Sequence, residues 1–348
     1  MKEEVDTLYH RLETLTENNS RARMLLSNPF MKTRRDVYQI SGNLNGSKIA
    51  SVGIFNLRIL ADGISYDVIG GGGLNVAPEY RHTGYALELY EYMKTISPDK
   101  VFIGYGLSQK ARKLARAMGA AVFDVSRFLC IRKSRYFMEN YMPRHNNPIK
   151  TAILDVICWF HRRFVAFLTR IKTFQLKVEH VGSLDTRVLD DYAGLVAMEN
   201  KRFRQDVTTG WIEWILNNDF IDPVQADKRL FRVSIGNNRV GYFITRYSKE
   251  GRLGCVIDWQ IDGQHLKYEP WILLRAMFTL FPKAHAVALA VSKTESRTTK
   301  VLKRLLVPCP DQVAEVAPGD DSPLVAHDGW RDQTNWRIRP SMGDGAFY

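Results

Sequence analysis

The apolar and polar positions fall into short runs that can be read element by element. Val5, Leu8, Leu12 and Leu15 recur three or four apart, so residues 1–30 are expected to form a helix. Strands follow at "DVYQIS" and "KIASVGIFNLRIL", separated by the turn "GNLNGS". "ISYDVI" then runs into Gly70–Gly73 and "LNVAP", and a helix is expected from about Gly84 to Thr95, ending before Pro98. "KVFIGYGLS" reads as a buried strand and "QKARKLARAMG" as a helix capped by Gly119. "AAVFDVSRFLCIRK" supplies the next strand.

The second half repeats this outline. "LDDYAGLVAMENKRF" and "TGWIEWILNN" have helical spacing. "LFRVSIG", "RVGYFITRY" and "RLGCVIDWQI" alternate as an antiparallel meander, with turns at Asn237-Asn238 and Lys249–Gly251. A helix over about Glu269–Leu280, a strand "AVALAVS" and a helix "ESRTTKVLKRLL" complete the set. The tail after Pro308 is rich in Pro, Asp and Gly and is expected to be irregular. The pattern is α+β (α/β), two mixed-sheet domains of one architecture. We expect domain boundaries at 1–147 and 178–348, with 148–177 as a linker helix.

That linker, "PIKTAILDVICWFHRRFVAFLTRIKTFQL", is apolar and aromatic. A membrane span needs about 18 or more apolar residues with few charges. Asp155, Arg162 and Arg163 interrupt this one, so no transmembrane segment is expected. A helix packed between domains is one expectation, and a membrane-surface helix is the sharper alternative because its polar face is basic.

Charge changes the picture further. The 348-residue chain has a net charge of +12, and residues 100–177 carry 16 Lys/Arg against Asp124, Glu139 and Asp155, a local +13. The basicity therefore belongs to one region, expected to meet something anionic, nucleic acid among the candidates. Cys130, Cys158, Cys255 and Cys309 lie far apart without ligand spacing, which predicts neither disulfides nor a metal site. A charged N-terminus without a signal-peptide apolar core points to a cytoplasmic protein.

The candidate chemistry lies in "LNVAPEYRHTGYA". A helix N-terminus offers unpaired amides and a positive dipole end to a pyrophosphate. Gly84 lets the backbone approach phosphate closely, and Arg81 adds a permanent charge. The glycine run before it marks a bulge that splays the strand, or room for a ligand, and the two coincide readily.

With strand before and helix after, this stretch resembles the acyl-CoA site of the GNAT acetyltransferase superfamily, a strand ending V-x-P-x-[YF] followed by [RQ]-x-x-G-x-[GA]. "SQKARKLARAMGA" is similar to that family's next helix, matching at Ala111, Leu114 and Gly119. The likeness covers about residues 35–135. The second half keeps the order of elements but lacks the loop, so the whole resembles a tandem GNAT protein with a degenerate second domain that shapes the acceptor site. The resemblance implies N-acyl transfer from acetyl-CoA or another acyl-CoA to a primary amine, without a metal. Leu74, Asn75 and Val76 would face the pantetheine and thioester, and Arg81, His82, Thr83, Gly84, Tyr85 and Ala86 would cradle the pyrophosphate. Ser108 stands where the family's pantetheine-binding Asn is usual, and Ala115 where a Tyr often protonates the leaving thiolate. Tyr105 and Ser108 are then candidate acids, Asp67 a candidate base, and Asp258 a more distant candidate for acceptor binding or base. The acceptor expected is an amine on an anionic carrier. It is an aminated base in DNA or RNA, or a nucleotide- or lipid-linked amino sugar. A catalytically inactive basic nucleic-acid-binding module is the alternative of another class.

Overall fold

A computed structural model of the chain describes residues 6–11, 24–31, 33, 37–107, 109–141, 147–218, 227–247 and 252–342. In chain order the elements are β1 (Asp6–Arg11), β2 (Val37–Leu44), β3 (Ser47–Ala61), β4 (Ile64–Val76), α1 (Tyr85–Ile96), β5 (Val101–Leu107), α2 (Gln109–Ala117) and β6 (Ala121–Ile131). Then come α3 (Ser134–Tyr141), α4 (Pro148–Lys172), β7 (Leu176–His180), α5 (Thr186–Ala197), β8 (Phe203–Gln205) and α6 (Thr209–Asn217). The last are β9 (Asp227–Ile235), β10 (Asn238–Tyr247), β11 (Leu253–Ile261), α7 (Glu269–Thr279), β12 (Ala286–Ser292), α8 (Ser296–Leu305) and β13 (Val307–Pro318).

The chain forms two compact units that interleave in sequence. The first takes Met1–Asp124, Asn200–Pro223 and Gln312–Tyr348, and the second Val125–Glu199 and Val224–Asp311. In the first, strand order is β1-β2-β3-β4-β5-β13, with β8 pairing β3. All neighbours are antiparallel except β4 and β5, which are parallel. Ile40, Val52, Ile54 and Ile69 from the sheet pack with Leu89 and Met93 of α1 and Ala115 of α2 in one apolar cluster. The side-chain period of two along β2–β4 and the helical period of α1 deliver these residues to a common face.

The second unit has the order β6-β12-β11-β10-β9-β7, again antiparallel except for the parallel pair β11–β12. Its core joins Val233, Phe243, Val256, Trp259 and Val287 with Ile272, Leu273 and Met277 of α7. Arg132, just past β6, caps the end of α7 by donating to the carbonyls of Met277, Phe278 and Phe281. Each unit is thus an antiparallel meander, a parallel pair, and a closing strand drawn from the other half of the sequence.

Two expectations from sequence give way. Asp6–Arg11 is a strand rather than the start of a helix. It pairs with Val37–Asn43, and His10 Nε2 lies 2.9 Å from Ser41 Oγ. An open strand edge overrides a helical spacing whose Leu8 is left half exposed. Val5, Leu12 and Leu15 lie outside the described residues. The tail after Pro308 is strand as far as Pro318, where β13 buries Val313, Val316 and Ala317, and the described stretch beyond it is irregular, with short 3-10 turns and Trp330, Trp336 and Ile338 buried. Finally α4 forms, but its apolar side chains stay outside. Ile153, Phe160, Phe164 and Phe167 are all more than half exposed.

Candidate acyl-CoA site

β4 and β5 pair in parallel from Val68↔Val101 to Gly71↔Gly104, and there the pairing stops. Both strands continue, β4 to Val76 and β5 to Leu107, so they part beyond Gly71 and Gly104. The glycine run stands at this point. On its other edge β4 pairs with β3 at Gly53↔Gly72 and Ser51↔Asn75, so Gly73 and Leu74 oppose the single residue Val52. Gly73 has φ +63°, the left-handed backbone of a glycine bulge. The bulge stands where β4 and β5 part, and among the described residues the β5-facing edge of Gly72–Val76 has no registered neighbour. Asn75 is exposed, Leu74 and Val76 are partly buried, and all three stand on this edge segment.

Past β4 the chain makes a short turn at Pro78–Tyr80, and Arg81 Nε donates back to the Val76 carbonyl at 3.2 Å. Thr83 Oγ1 donates to the Tyr80 carbonyl at 2.6 Å, and His82 takes φ +70°. Gly84 is the N-cap of α1 with φ +97° and offers no side-chain cap. The first amides of α1 therefore lack intrahelical acceptors and sit behind a Cβ-free residue, with Arg81, His82 and Thr83 exposed beside them. Tyr85 turns its ring into the core against Tyr80, so it offers its backbone rather than its phenol, while Ala86 is half-buried in the first turn.

At the fork sits a carboxylate that sequence reasoning missed. Glu315 of β13 is the register partner of Gly104 and is 4% exposed. A methyl group on Gly104 would lie 2.7 Å from Glu315 Oε1, so the carboxylate extends across β5 at the level where β4 and β5 part. Tyr90 of α1 donates its hydroxyl to Glu315 Oε1 at 2.6 Å. Among the described residues Oε2 has no hydrogen-bond partner. Burial pushes the Glu315 carboxyl up to about 7, against the opposing pull of the Tyr90 hydrogen bond. A buried carboxyl that titrates near neutrality is a competent proton acceptor.

The residues singled out from sequence are dispersed. Tyr105 lies one position past the fork, buried, and on the opposite face of β5 from Gly104 and Glu315. Asp67 is on the far side of the paired segment, roughly 16 Å from Tyr105 at 3.3 Å per residue, and on the other face. It is held by Arg58 at 3.2 Å. Ser108 lies outside the described residues. Asp258 is buried on β11 of the second unit, opposite Ile244. Of the basic residues of α2, Arg112 is spent on Asp124 at 2.9 Å.

The second unit repeats the fork and closes it. β11 and β12 pair from Leu253↔Ala286 to Val256↔Leu289 and then run on without pairing to each other, with a bulge in β11 beside Ile244. Trp259, beyond the last pair as Leu74 is in the first unit, is fully buried. Its Nε1 donates to Glu269 Oε1 at 2.7 Å, and Thr298 Oγ1 donates to Glu269 Oε2 at 2.6 Å. Where the first unit leaves a helix N-terminus open, this one opens α7 with an internal carboxylate and a proline.

No protein-family model matches the sequence, and no curated protein sequence matches it. Solved structures do match the fold. The N-myristoyltransferase of Saccharomyces cerevisiae with bound myristoyl-CoA superposes with a TM-score of 0.54 at 11% identity, over 85% of this chain and 72% of that one. A probable N-acyltransferase of unknown function from Enterococcus faecalis gives 0.51 at 10% identity, over 92% and 73%. A tandem GNAT protein from the clavulanic acid biosynthesis pathway gives 0.51 at 11% identity, over 91% and 99%. In keeping with the two forked sheets and the open loop of the first, the chain has the tandem-domain fold of the GNAT superfamily.

Proposed function

We propose that the protein is an acyl-CoA-dependent N-acyltransferase acting on a primary amine, with the first unit as the acyl-CoA domain and the second shaping the acceptor site. The observation that carries this reading is the parting of β4 and β5 after Gly71–Gly104, next to the uncapped helix N-terminus at Gly84. The pyrophosphate of CoA meets the amides of Thr83–Ala86 and the Arg81 guanidinium. Pantetheine lies along the free edge of Gly72–Val76, where backbone amides stabilise the oxyanion of the tetrahedral intermediate.

The proton balance is that of amide formation from an ammonium ion and a thioester, which yields amide, thiol and one released proton. Glu315 takes the first proton from the acceptor ammonium and passes it to solvent. Attack by the free amine then forms the C–N bond and breaks the C–S bond. The leaving thiolate takes the nitrogen's second proton, with Tyr105 or Ser108 as the relay. Asp67 is engaged by Arg58 and is a weaker base candidate than Glu315. Asp258, with Trp259 and Glu269, belongs to a unit whose own fork is filled by side chains.

For the acceptor we propose an amine on an anionic carrier, an aminated base in DNA or RNA or a nucleotide- or lipid-linked amino sugar. The support is the local charge of residues 100–177. Part of that charge serves the protein itself, through Arg112 on Asp124 and Arg132 on the carbonyls at the end of α7. The test is thermal unfolding with acetyl-CoA, followed by mass spectrometry of candidate amines. Ligand at a hundred times its Kd stabilises by about 2.7 kcal/mol. Gly84→Glu is expected to abolish that stabilisation. No stabilisation by millimolar acetyl-CoA, with DNA bound all the same, would favour the inactive nucleic-acid-binding module.

A further inference from the structure

We propose that α4 is an interfacial helix that seats this protein on an anionic lipid bilayer, an inference independent of the acyltransferase reading. At 25 residues the helix is about 37 Å long. At 100° per residue, Ile149, Ile153, Phe160, Phe164, Phe167 and Ile171 fall within about 60° of one another. They are exposed, Ile149 at 72% and Phe160 at 64%, and Phe174 just beyond the helix extends the stripe at 75%. The opposite side carries the buried Val165 and Thr169, which place the helix against its own unit. Arg275 of α7 fixes its end by donating to the carbonyls of Thr173 and Leu176. The apolar stripe therefore points away from the body of the unit. No described helix is long and apolar enough to cross a membrane, and an apolar strip of this length is unusual on a monomeric surface.

Charge decides the occupant. Lys150 and Lys172 border the stripe on one side, Arg163 and Arg170 on the other, and all four are exposed. Arg163 also stacks over the ring of Trp159 at 5.3 Å. The one acid of the helix, Asp155, is engaged with the Ser134 amide at 2.7 Å. Two copies of this helix packed together would set like charges against each other along both margins. An anionic headgroup layer instead neutralises both margins while acyl chains take up the phenylalanines.

The experiment is flotation of the full chain with vesicles of phosphatidylcholine alone or with 30% phosphatidylglycerol, read together with Trp fluorescence and light scattering. The expected result is binding to the anionic vesicles, at least tenfold weaker binding to neutral ones, and a fall with added salt. Phe160→Glu/Phe167→Glu, at exposed positions, is expected to weaken binding more than tenfold with the circular dichroism unchanged. Arg163→Glu/Arg170→Glu is expected to lose the preference for anionic lipid. Absence of binding to either vesicle overturns the proposal. So does a lipid-free dimer that Phe160→Glu/Phe167→Glu dissociates, since a second copy then covers the stripe. Equal binding to both vesicles overturns it as well, because the basic margins would play no part.

Discussion

Tyr90 Oη donates a 2.6 Å hydrogen bond to Glu315 Oε1, joining the first helix after the glycine turn to β13. The pair is buried where β4 and β5 part, and that burial raises the Glu315 carboxyl against the pull of the Tyr90 hydrogen bond.

The first prediction concerns pH. With the Glu315 carboxyl raised to about 7, kcat/KM is expected to climb through pH 7 and level off above it. Glu315→Gln is expected to lower turnover by roughly 10²–10⁴-fold and to remove that rise, while leaving acetyl-CoA affinity unchanged. Stability runs the other way. Between 4.5 and about 7 the folded carboxyl holds a proton that the unfolded one has lost, so stability falls as pH rises across that window. The fall is up to about 3 kcal/mol, and urea unfolding of Glu315→Gln at pH 5 and pH 8 is expected to lack it.

Gly104 makes room for that carboxylate. Gly104→Ala puts a methyl group 2.7 Å from Glu315 Oε1 and 2.9 Å from its Cγ. The expected cost is about 1–3 kcal/mol of stability, and kcat is expected to fall with KM for acetyl-CoA preserved. Unchanged kcat would remove Glu315 from the chemistry.

Gly73 holds the bulge. An alanine at φ +63° costs about 1–2 kcal/mol, measured by urea unfolding. If the bulge is what opens the free edge, Gly73→Ala also raises KM for acetyl-CoA. A variant destabilised with KM unchanged would show that the edge opens without it.

Arg81→Ala separates the loop's charge from its shape. With Gly84 retained, the thermal shift by acetyl-CoA is expected to shrink, corresponding to a Kd about tenfold weaker, and to become less sensitive to salt.

A hydrogen-bond network anchors the tail. His327 bridges Tyr66 Oη at 2.8 Å and Asp62 Oδ2 at 2.9 Å, and Arg202 holds Asp62 through both oxygens at 2.7 Å. Arg202 first, then His327, holds the Asp62 carboxyl well below the usual range. His327→Ala is expected to make the segment after Pro318 a target for limited proteolysis while leaving acetyl-CoA binding intact.

The loop was legible because its chemistry is local. Arg81, Gly84 and the helix they open are neighbours in sequence, and so are the glycines that bulge β4. Glu315 was not legible, since it comes from a stretch whose Pro, Asp and Gly hide the apolar positions Val313, Val316 and Ala317 that make it a strand. Its role depends on pairing with Gly104, and nothing in either segment announces the other. Asp6–Arg11 failed for a related reason, because its conformation is set by the edge of β2 rather than by its own spacing. In the second unit, Asp258 was legible only as an acidic residue on a strand. The filling of that fork depends on Glu269 and Thr298, which only the fold gathers around Trp259.

The closing strands carry a consequence for biosynthesis. During translation β5 emerges long before its antiparallel neighbour β13. Until then the first unit presents an open sheet edge, with the Gly104 side of the fork bare and Glu315 absent. Nascent chains that stall before residue 312 therefore expose a strand edge suited to wrong pairings, and a fragment cut after α3 inherits the same defect. The site becomes whole only once β13 has been made.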